Sequence, residues 1–434
     1  MQRLISGGVT ECVFTSAEMA ASSFVECTVS KACFDKATAP NADFVKATLS
    51  DASFQGCRAP GSIFAEADVS KADFTGAALN GGANFVACRA AQANFTSADV
   101  STADFARADL SEAVLHAADL SGATLLEANL DHADLTGANL SEVHMCHANV
   151  TDANLDQCNL GNAILTNVRG LADTRMRAAG SLKCVDLSGH DLAGFDLSDL
   201  DLSGADLSNT KLTNVNFAGA NLSNAKLTNA NLTGADFTRC KLEGTMMAEV
   251  QGLNTAKTDN LRGAILSELP MTGFDLEGVD LSGASLCGTI LNNANLVGAK
   301  LCSANITSAN LAGANLTLAN MANATATDAC LQKCKLEGAV LTNVQGPTSD
   351  MLRSAGSIRR VDLSGLPLLD DNLTGMDLAG ANLAGANIAG ARLSKANLTR
   401  TNLASAKFIN PIQLDGVIGL ESFPKGSVDM LSHR

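Results

Sequence analysis

The sequence predicts an all-β solenoid, a chain wound into stacked short strands around no globular core. Three observations carry that prediction. The apolar pattern repeats every five residues, as in LAGANLAGANIAGARL (378–393), where Leu378, Leu383, Ile388 and Leu393 recur and the last three have Ala two places earlier. Helices return to one face every 3.6 residues and strands every 2, so neither produces this period. The composition is 46% apolar, too much for disorder, yet it has no Trp or Tyr and only 7 Pro. Finally, 434 residues would suggest two or three globular domains, but a repeat overrides that prior because stacked units grow along one axis.

Within one unit, ANLTG (230–234), Ala230 and Leu232 are two residues apart on an extended backbone and point the same way, while Asn231, Thr233 and Gly234 point away. Five residues thus supply a short edge, two inward side chains and a polar bend rich in Ser, Thr, Gly and Asn. If each unit turns the chain by about a right angle, four units close a square coil, and the next coil stacks about 4.8 Å away. A single coil buries too little to offset the ordering of its backbone, so each coil depends on its neighbours.

Taken in order, residues 1–13 lie outside the frame and read as an N-terminal cap. The β-helix then runs over 14–168, with one extra residue in LNGGANF shifting the frame, and resumes over 184–249, 261–344 and 360–410. Together these blocks hold about 70 units, or about 17 coils. Residues 411–434 read as a C-terminal cap or tail, with Pro411 and Pro424 suited to a stop. Tandem A(D/N)LxG resembles the pentapeptide repeat family, and that resemblance implies a right-handed quadrilateral β-helix. Leucine-rich repeats, with longer units and irregular Leu spacing, fit less well.

The frame breaks at 169–183, 250–260 and 345–359, and the breaks share a form. NVRGLADTRMRAAGSLKCVDLSG (167–189) aligns with NVQGPTSDMLRSAGSIRRVDLSG (343–365); EVQGLNTAKTDNLRGA (249–264) is looser, and GVIGLESF (416–423) begins another copy. In the first and third, a capping-type residue (Asp173, Ser349) precedes Met176 or Leu352, and Gly180 or Gly356 stands where helices end, so these two predict a short helix leaving the coil, and 250–260 reads as a short insertion. Just before each break an outward position turns apolar, at Ile164, Met246 and Val340, which predicts a patch covered by the inserted segment. The helices also put Met176, Arg177, Leu352 and Arg353 forward as contacts for a partner.

Net charge is −15, which disfavours direct nucleic-acid binding. Acidity concentrates between Asp99 and Val250, with 21 acidic and 9 basic residues, so a basic partner should prefer that stretch. Asp186, Asp191, Asp196, Asp201 and Asp206 occupy five successive outward positions, with Asp199 a sixth acid, an arrangement suited to a basic protein or to Ca²⁺. His144, Cys146 and His147, with His116 and His132 nearby, are all read as surface residues, and no metal or cofactor is expected. Of 13 Cys, seven (Cys12, Cys27, Cys57, Cys88, Cys158, Cys240, Cys334) fall where the repeat puts Ala, so they read as small buried thiols. No nucleophile–base pair and no phosphate loop stands out, which argues against an enzyme. With no signal-like or membrane-spanning apolar run the expected location is cytoplasmic. The function read from the sequence is a scaffold, a rigid rod making protein–protein contacts in a multi-subunit assembly. The family resemblance adds an alternative, an acidic mimic of duplex DNA that binds a type II topoisomerase.

Overall fold

A computed structural model of the chain describes residues 10–253, 258–346, 349–407 and 414–423. It divides into two compact units, Met1–Asn216 and Phe217–Arg434, each taken by itself. In the first unit Val13, Glu18, Ser23 and Thr28 pair in parallel with Cys33, Thr38, Asp43 and Thr48, each twenty residues on. A bridge every five residues and a partner after twenty give four interleaved ladders per circuit. The second unit repeats the scheme, for example through Asn260, Asp280, Lys300, Asn320 and Val340.

The bends follow from the unit itself. Ala17 N donates to Phe14 O (3.0 Å), and Ser16, between them, has φ 56°. This is the arrangement of a type II turn, which takes positive φ at its third position. Most such corners hold residues other than Gly, including Lys36 (φ 54°) and Glu26 (φ 58°), in a conformation that costs about 1–2 kcal/mol. Most also donate their N–H to the next circuit, as Ser16 does to Asp35 O at 2.8 Å, which offsets the strain. Asp or Asn one place before the centre closes the same bend by accepting the N–H two residues on, as Asp134 does from Thr136 (3.0 Å).

The frame's centres point inward. In the first unit Phe24 through Phe105 are buried in two columns, each ring stacked on the one twenty or twenty-one residues away at 4.6–4.9 Å and edge-on to the other column at 5.6–6.0 Å. Leu takes over beyond Phe105 and dominates the second unit, where Phe217 and Phe237 form one further stacked pair. Leu378, Leu383, Ile388 and Leu393 are all buried, as the period of five requires. Ala at the second inward position lets the walls close over these columns.

Circuit length varies without breaking the ladders. The extra residue in LNGGANF makes a circuit of 21, Ile63 pairing with Asn84, and Gly81 (φ 72°) and Gly82 (φ 78°) absorb it at one corner. Across the first interruption Asn159 pairs with Ser181 and Ile164 with Asp186, 22 residues on. In the second unit Met246 pairs with Ile265 after 19, and Val340 with Asp362 after 22. Each stack therefore passes through its interruptions.

Two short helices occupy the interruptions, α1 (Asp173–Ala178) and α2 (Ser349–Ser354). Sequence signals for their ends point to the wrong residues. Ala172, not Asp173, is the N-cap of α1; it makes no side-chain cap bond, and Asp173 instead accepts from Thr174 N at 2.7 Å. Gly180 and Gly356 are not left-handed C-caps. They are small because a Cβ would lie 3.1 Å from Gln157 O and 3.2 Å from Cys334 O, respectively. Both return the chain to the ladder, Gly180 N donating to Cys158 O (2.7 Å) and Gly356 N to Cys334 O (2.6 Å). Residues 1–9, the centre of 250–260, Phe408 and both candidate stop prolines lie outside the described residues.

Candidate functional site

The four related breaks share one geometric cause. In Val168-Arg169-Gly170, Val250-Gln251-Gly252, Val344-Gln345-Gly346 and Val417-Ile418-Gly419, Val is the small inward residue and the middle residue still bridges. The glycine falls at the centre, where Leu or Phe would point inward. All four have positive φ, from 68° to 88°. A Cβ on Gly346 would sit 2.7 Å from Thr327 Cα, on Gly252 2.8 Å from Thr233 Cα, and on Gly419 2.6 Å from Thr399 Cα. The chain leaves the ladder pressed against the backbone of the preceding circuit, so only Gly fits. The repeated V-x-G was visible in the sequence; its glycine's place in the frame is what reveals its role.

Met176 on α1 and Leu352 on α2 are 0% and 1% exposed. They are therefore core residues and not the surface contacts expected from sequence: each falls twenty-one residues after a buried centre, Leu155 or Leu331, on the wall that follows its glycine. Phe423, after the 3-10 helix Leu420–Ser422, is likewise buried. Arg177 and Arg353 fasten the helices to the following circuit. Arg177 Nη1 donates to Ser198 O (3.0 Å) and Oγ (2.9 Å) and pairs with Asp196 (3.3 Å), while Arg353 Nη2 donates to Asn372 O (3.1 Å). These cations are engaged within the chain.

The inserted helices do not cover the apolar outward residues. Ile164 and Val340 lie two bridge positions before α1 and α2 in a circuit of four, on the opposite side. Both are half-buried and followed in their ladder by Asp186 and Asp362. Met246 differs: it is 42% exposed and its ladder neighbour is Ile265, itself 38% exposed.

The acidic coil is largely balanced by its own chain. Asp191 meets Lys211 at 2.9 Å, Asp196 meets Arg177, and Asp201 meets Lys183 at 3.2 Å. The Lys211 hydrogen bond holds the Asp191 carboxyl below the usual range, and bonds from Ser198 do the same for Asp196. Asp186, Asp191, Asp196, Asp201 and Asp206 each accept the N–H two residues on, at 2.9–3.2 Å. Asp199 is an exposed corner residue with φ 60°. His116, His132, His144 and His147 are exposed, and among the described residues no cluster of His, Cys, Asp or Glu could hold a metal ion.

Two of the Cys that replace Ala, Cys158 and Cys334, bond as other polar residues do at that position. Cys158 Sγ bonds Leu135 O (2.9 Å) and Cys334 Sγ bonds Leu311 O (2.8 Å), as Ser62, Thr245, Thr289 and Thr401 bond the equivalent carbonyl at 2.8–3.0 Å. His190 reaches Leu165 O at 2.6 Å in the same way. Burial pushes the thiols of Cys57, Cys158, Cys240 and Cys334 up to about 12, so they are inert at neutral pH.

Eight copies of the profile for pentapeptide repeats match, over 41–81, 91–125, 128–167, 181–217, 205–244, 271–307, 304–343 and 372–410, about two thirds of the chain. The chain belongs to the pentapeptide repeat family. Among the described residues every match lies in a laddered stretch, and none includes α1 or α2. Solved pentapeptide repeat proteins resemble it at low identity. HetL of the cyanobacterium Nostoc sp. strain PCC 7120, involved in heterocyst differentiation regulation, is 22% identical over 77% of this chain and 90% of its own, with a TM-score of 0.17. A protein of the Arabidopsis thaliana thylakoid lumen is 23% identical over 32% of this chain and 68% of its own, at 0.15. QnrB1, a plasmid-mediated fluoroquinolone resistance protein, is 15% identical over 64% of this chain and 90% of its own, at 0.14. Similarity at this level carries no functional argument. No curated protein matches the chain.

Proposed function

We propose that this pentapeptide repeat protein is a non-catalytic scaffold whose stiff β-helical stacks hold protein partners within a multi-subunit assembly. The observation that carries this reading is the filled interior. Phe, Leu and Ala occupy the inward positions at close to zero exposure, and Met176 and Leu352 of the two helices are buried with them. Enzymes of small substrates need a concave site with converging polar groups, and a chain packed along its axis places its chemistry on its outer faces instead. The coil is read as right-handed and square, about 17 turns in all, with four ladders of closely spaced polar side chains. The proposal includes a cytoplasmic location, no cofactor and no direct contact with nucleic acid. It is tested by purifying the tagged protein from its native source under mild cross-linking. A stable complex of defined subunits is expected; a protein recovered alone at every salt concentration refutes it.

The acidity of the chain favours a second reading, an acidic mimic of duplex DNA acting on a type II topoisomerase. Against it stand the three carboxylates of the acidic coil already neutralised by Lys211, Arg177 and Lys183. A gyrase supercoiling assay unaffected by micromolar protein removes this alternative.

A further inference from the structure

The second unit carries an apolar surface unlike the rest of its polar ladders. Met246 and Ile265 are bridge partners on one ladder, and Pro270 and Ile290 are bridge partners on the next. Met246 is 42% exposed, Ile265 38% and Ile290 42%, and Pro270 is exposed beside them. Bridge positions at this frame are elsewhere mostly Asp, Asn, Ser, Thr or Lys, so four apolar side chains on adjoining ladders form a deliberate strip rather than scattered exposure. The Pro has a further effect: it removes the N–H that would tie its ladder to the circuit of Gln251.

The corner between these two ladders supplies the charge. Glu249 and Glu268 are the exposed positive-φ residues that follow Met246 and Ile265, at φ 57° and 64°. Because Met246 and Ile265 pair directly, the two corners lie one circuit apart, about 4.8 Å. A comparable corner of the first unit sets opposite charges one circuit apart, Lys46 meeting Glu66 at 3.7 Å. Here the ladder stacks like charges, which repel at this spacing and attract a cation.

We propose that Met246, Ile265, Pro270, Ile290, Glu249 and Glu268 form a docking surface for a partner segment in which Lys or Arg is flanked by apolar side chains. The cation sits over the paired carboxylates at the corner, and the flanking side chains cover the apolar residues on both sides. The long stem of Lys or Arg suits this, since its methylenes lie on apolar surface while its head reaches the acid. This deepens the scaffold reading by naming one of the surfaces it requires, and it rests on that reading.

The test uses the full chain and two fluorescein-labelled peptides, one alternating Leu with Arg and one alternating Leu with Glu, followed by anisotropy. The Arg peptide is expected to bind and to weaken with salt, and the Glu peptide not to bind. Ile265→Asp or Met246→Asp should each weaken the Arg peptide by about tenfold or more, the scale of an interface anchor. The pair Glu249→Lys with Glu268→Lys should abolish it, while Asp191→Lys, in the first unit, leaves it unchanged. Both apolar variants lie on the surface, and unchanged circular dichroism excludes misfolding. Equal binding of the two peptides, no binding of either, or binding indifferent to Ile265→Asp and Met246→Asp overturns the proposal. A dimer in sedimentation that these variants dissociate would assign the surface to a second copy and overturn it likewise. A native complex that survives both substitutions refutes this surface while the scaffold reading stands; the absence of any native complex refutes the scaffold itself.

Discussion

Replacing Gly170 by Ala tests whether the break begins with a glycine for steric reasons. Two costs apply. Ala at φ +82° is in the left-handed region, at about 1–2 kcal/mol. Its Cβ would also lie 2.5 Å from Thr151 Cα, more than an ångström inside ordinary contact, and that atom is backbone. Opening the circuit to accommodate it costs about 1–3 kcal/mol by analogy with overpacked cores. The expected loss is therefore about 2–5 kcal/mol. The control is Gly189→Ala, with φ +74° and nothing within 4 Å of the added carbon, which pays only the first cost. Hydrogen exchange is the suitable assay, since a long stack need not unfold in one step. Amides of Asp173–Ala178 and of the circuit beneath should lose protection in Gly170→Ala and keep it in Gly189→Ala. Thr151→Ala should not rescue the variant, because the clash includes main-chain atoms. Equal effects at the two glycines, or rescue by Thr151→Ala, would refute the steric account.

The remaining predictions concern the same architecture. Met176→Ala and Leu352→Ala should each cost about 2–5 kcal/mol as cavities, measured by denaturant titration, whereas Arg177→Ala should cost about 1 kcal/mol or less because its ion pair is partly exposed. Maleimide at pH 8 followed by mass spectrometry should label Cys184 and Cys330, which are exposed, and leave Cys57, Cys158, Cys240 and Cys334 unmodified until the protein is denatured. The Thr136 hydroxyl and N–H hold the Asp134 carboxyl below its usual range, so its contribution to stability is full above the unfolded carboxylate value and is lost as pH falls through the folded one. Thermal melts of the native protein should therefore drop below about pH 4, and Asp134→Asn should flatten that drop.

The repeat was legible because its signal is redundant. A period of five, with a small residue two places before each large one, fixes which side chains point inward without reference to distant contacts. Six of the seven thiols at Ala positions are buried as the same rule requires; Cys12, at the first described circuit, is only half-buried. The interruptions were legible as segments but not in their geometry. The apolar Met176 and Leu352 looked like exposed helix residues because their sequence neighbours are polar, whereas each falls twenty-one residues after a buried centre, Leu155 or Leu331, in a circuit longer than the regular twenty. Arg177 and Arg353 looked free because their acceptors, Ser198 O and Asn372 O, are backbone atoms about twenty residues away. Met246 stood out correctly as an outward apolar residue, but only the 19-residue circuit shows that Ile265 lies beside it.

Circuits of 19, 20, 21 and 22 residues all return to their ladders within a single turn. Such a chain localises its mistakes. A one-residue insertion such as the one at Gly82 is spent at one corner, and everything downstream keeps its orientation. An ordinary β-sheet would instead carry a one-residue slip along the whole strand, turning every side chain over. Pentapeptide chains of this kind can therefore tolerate small changes in length anywhere along them, and spacing between distant surface features can drift by whole turns while each feature keeps its own shape.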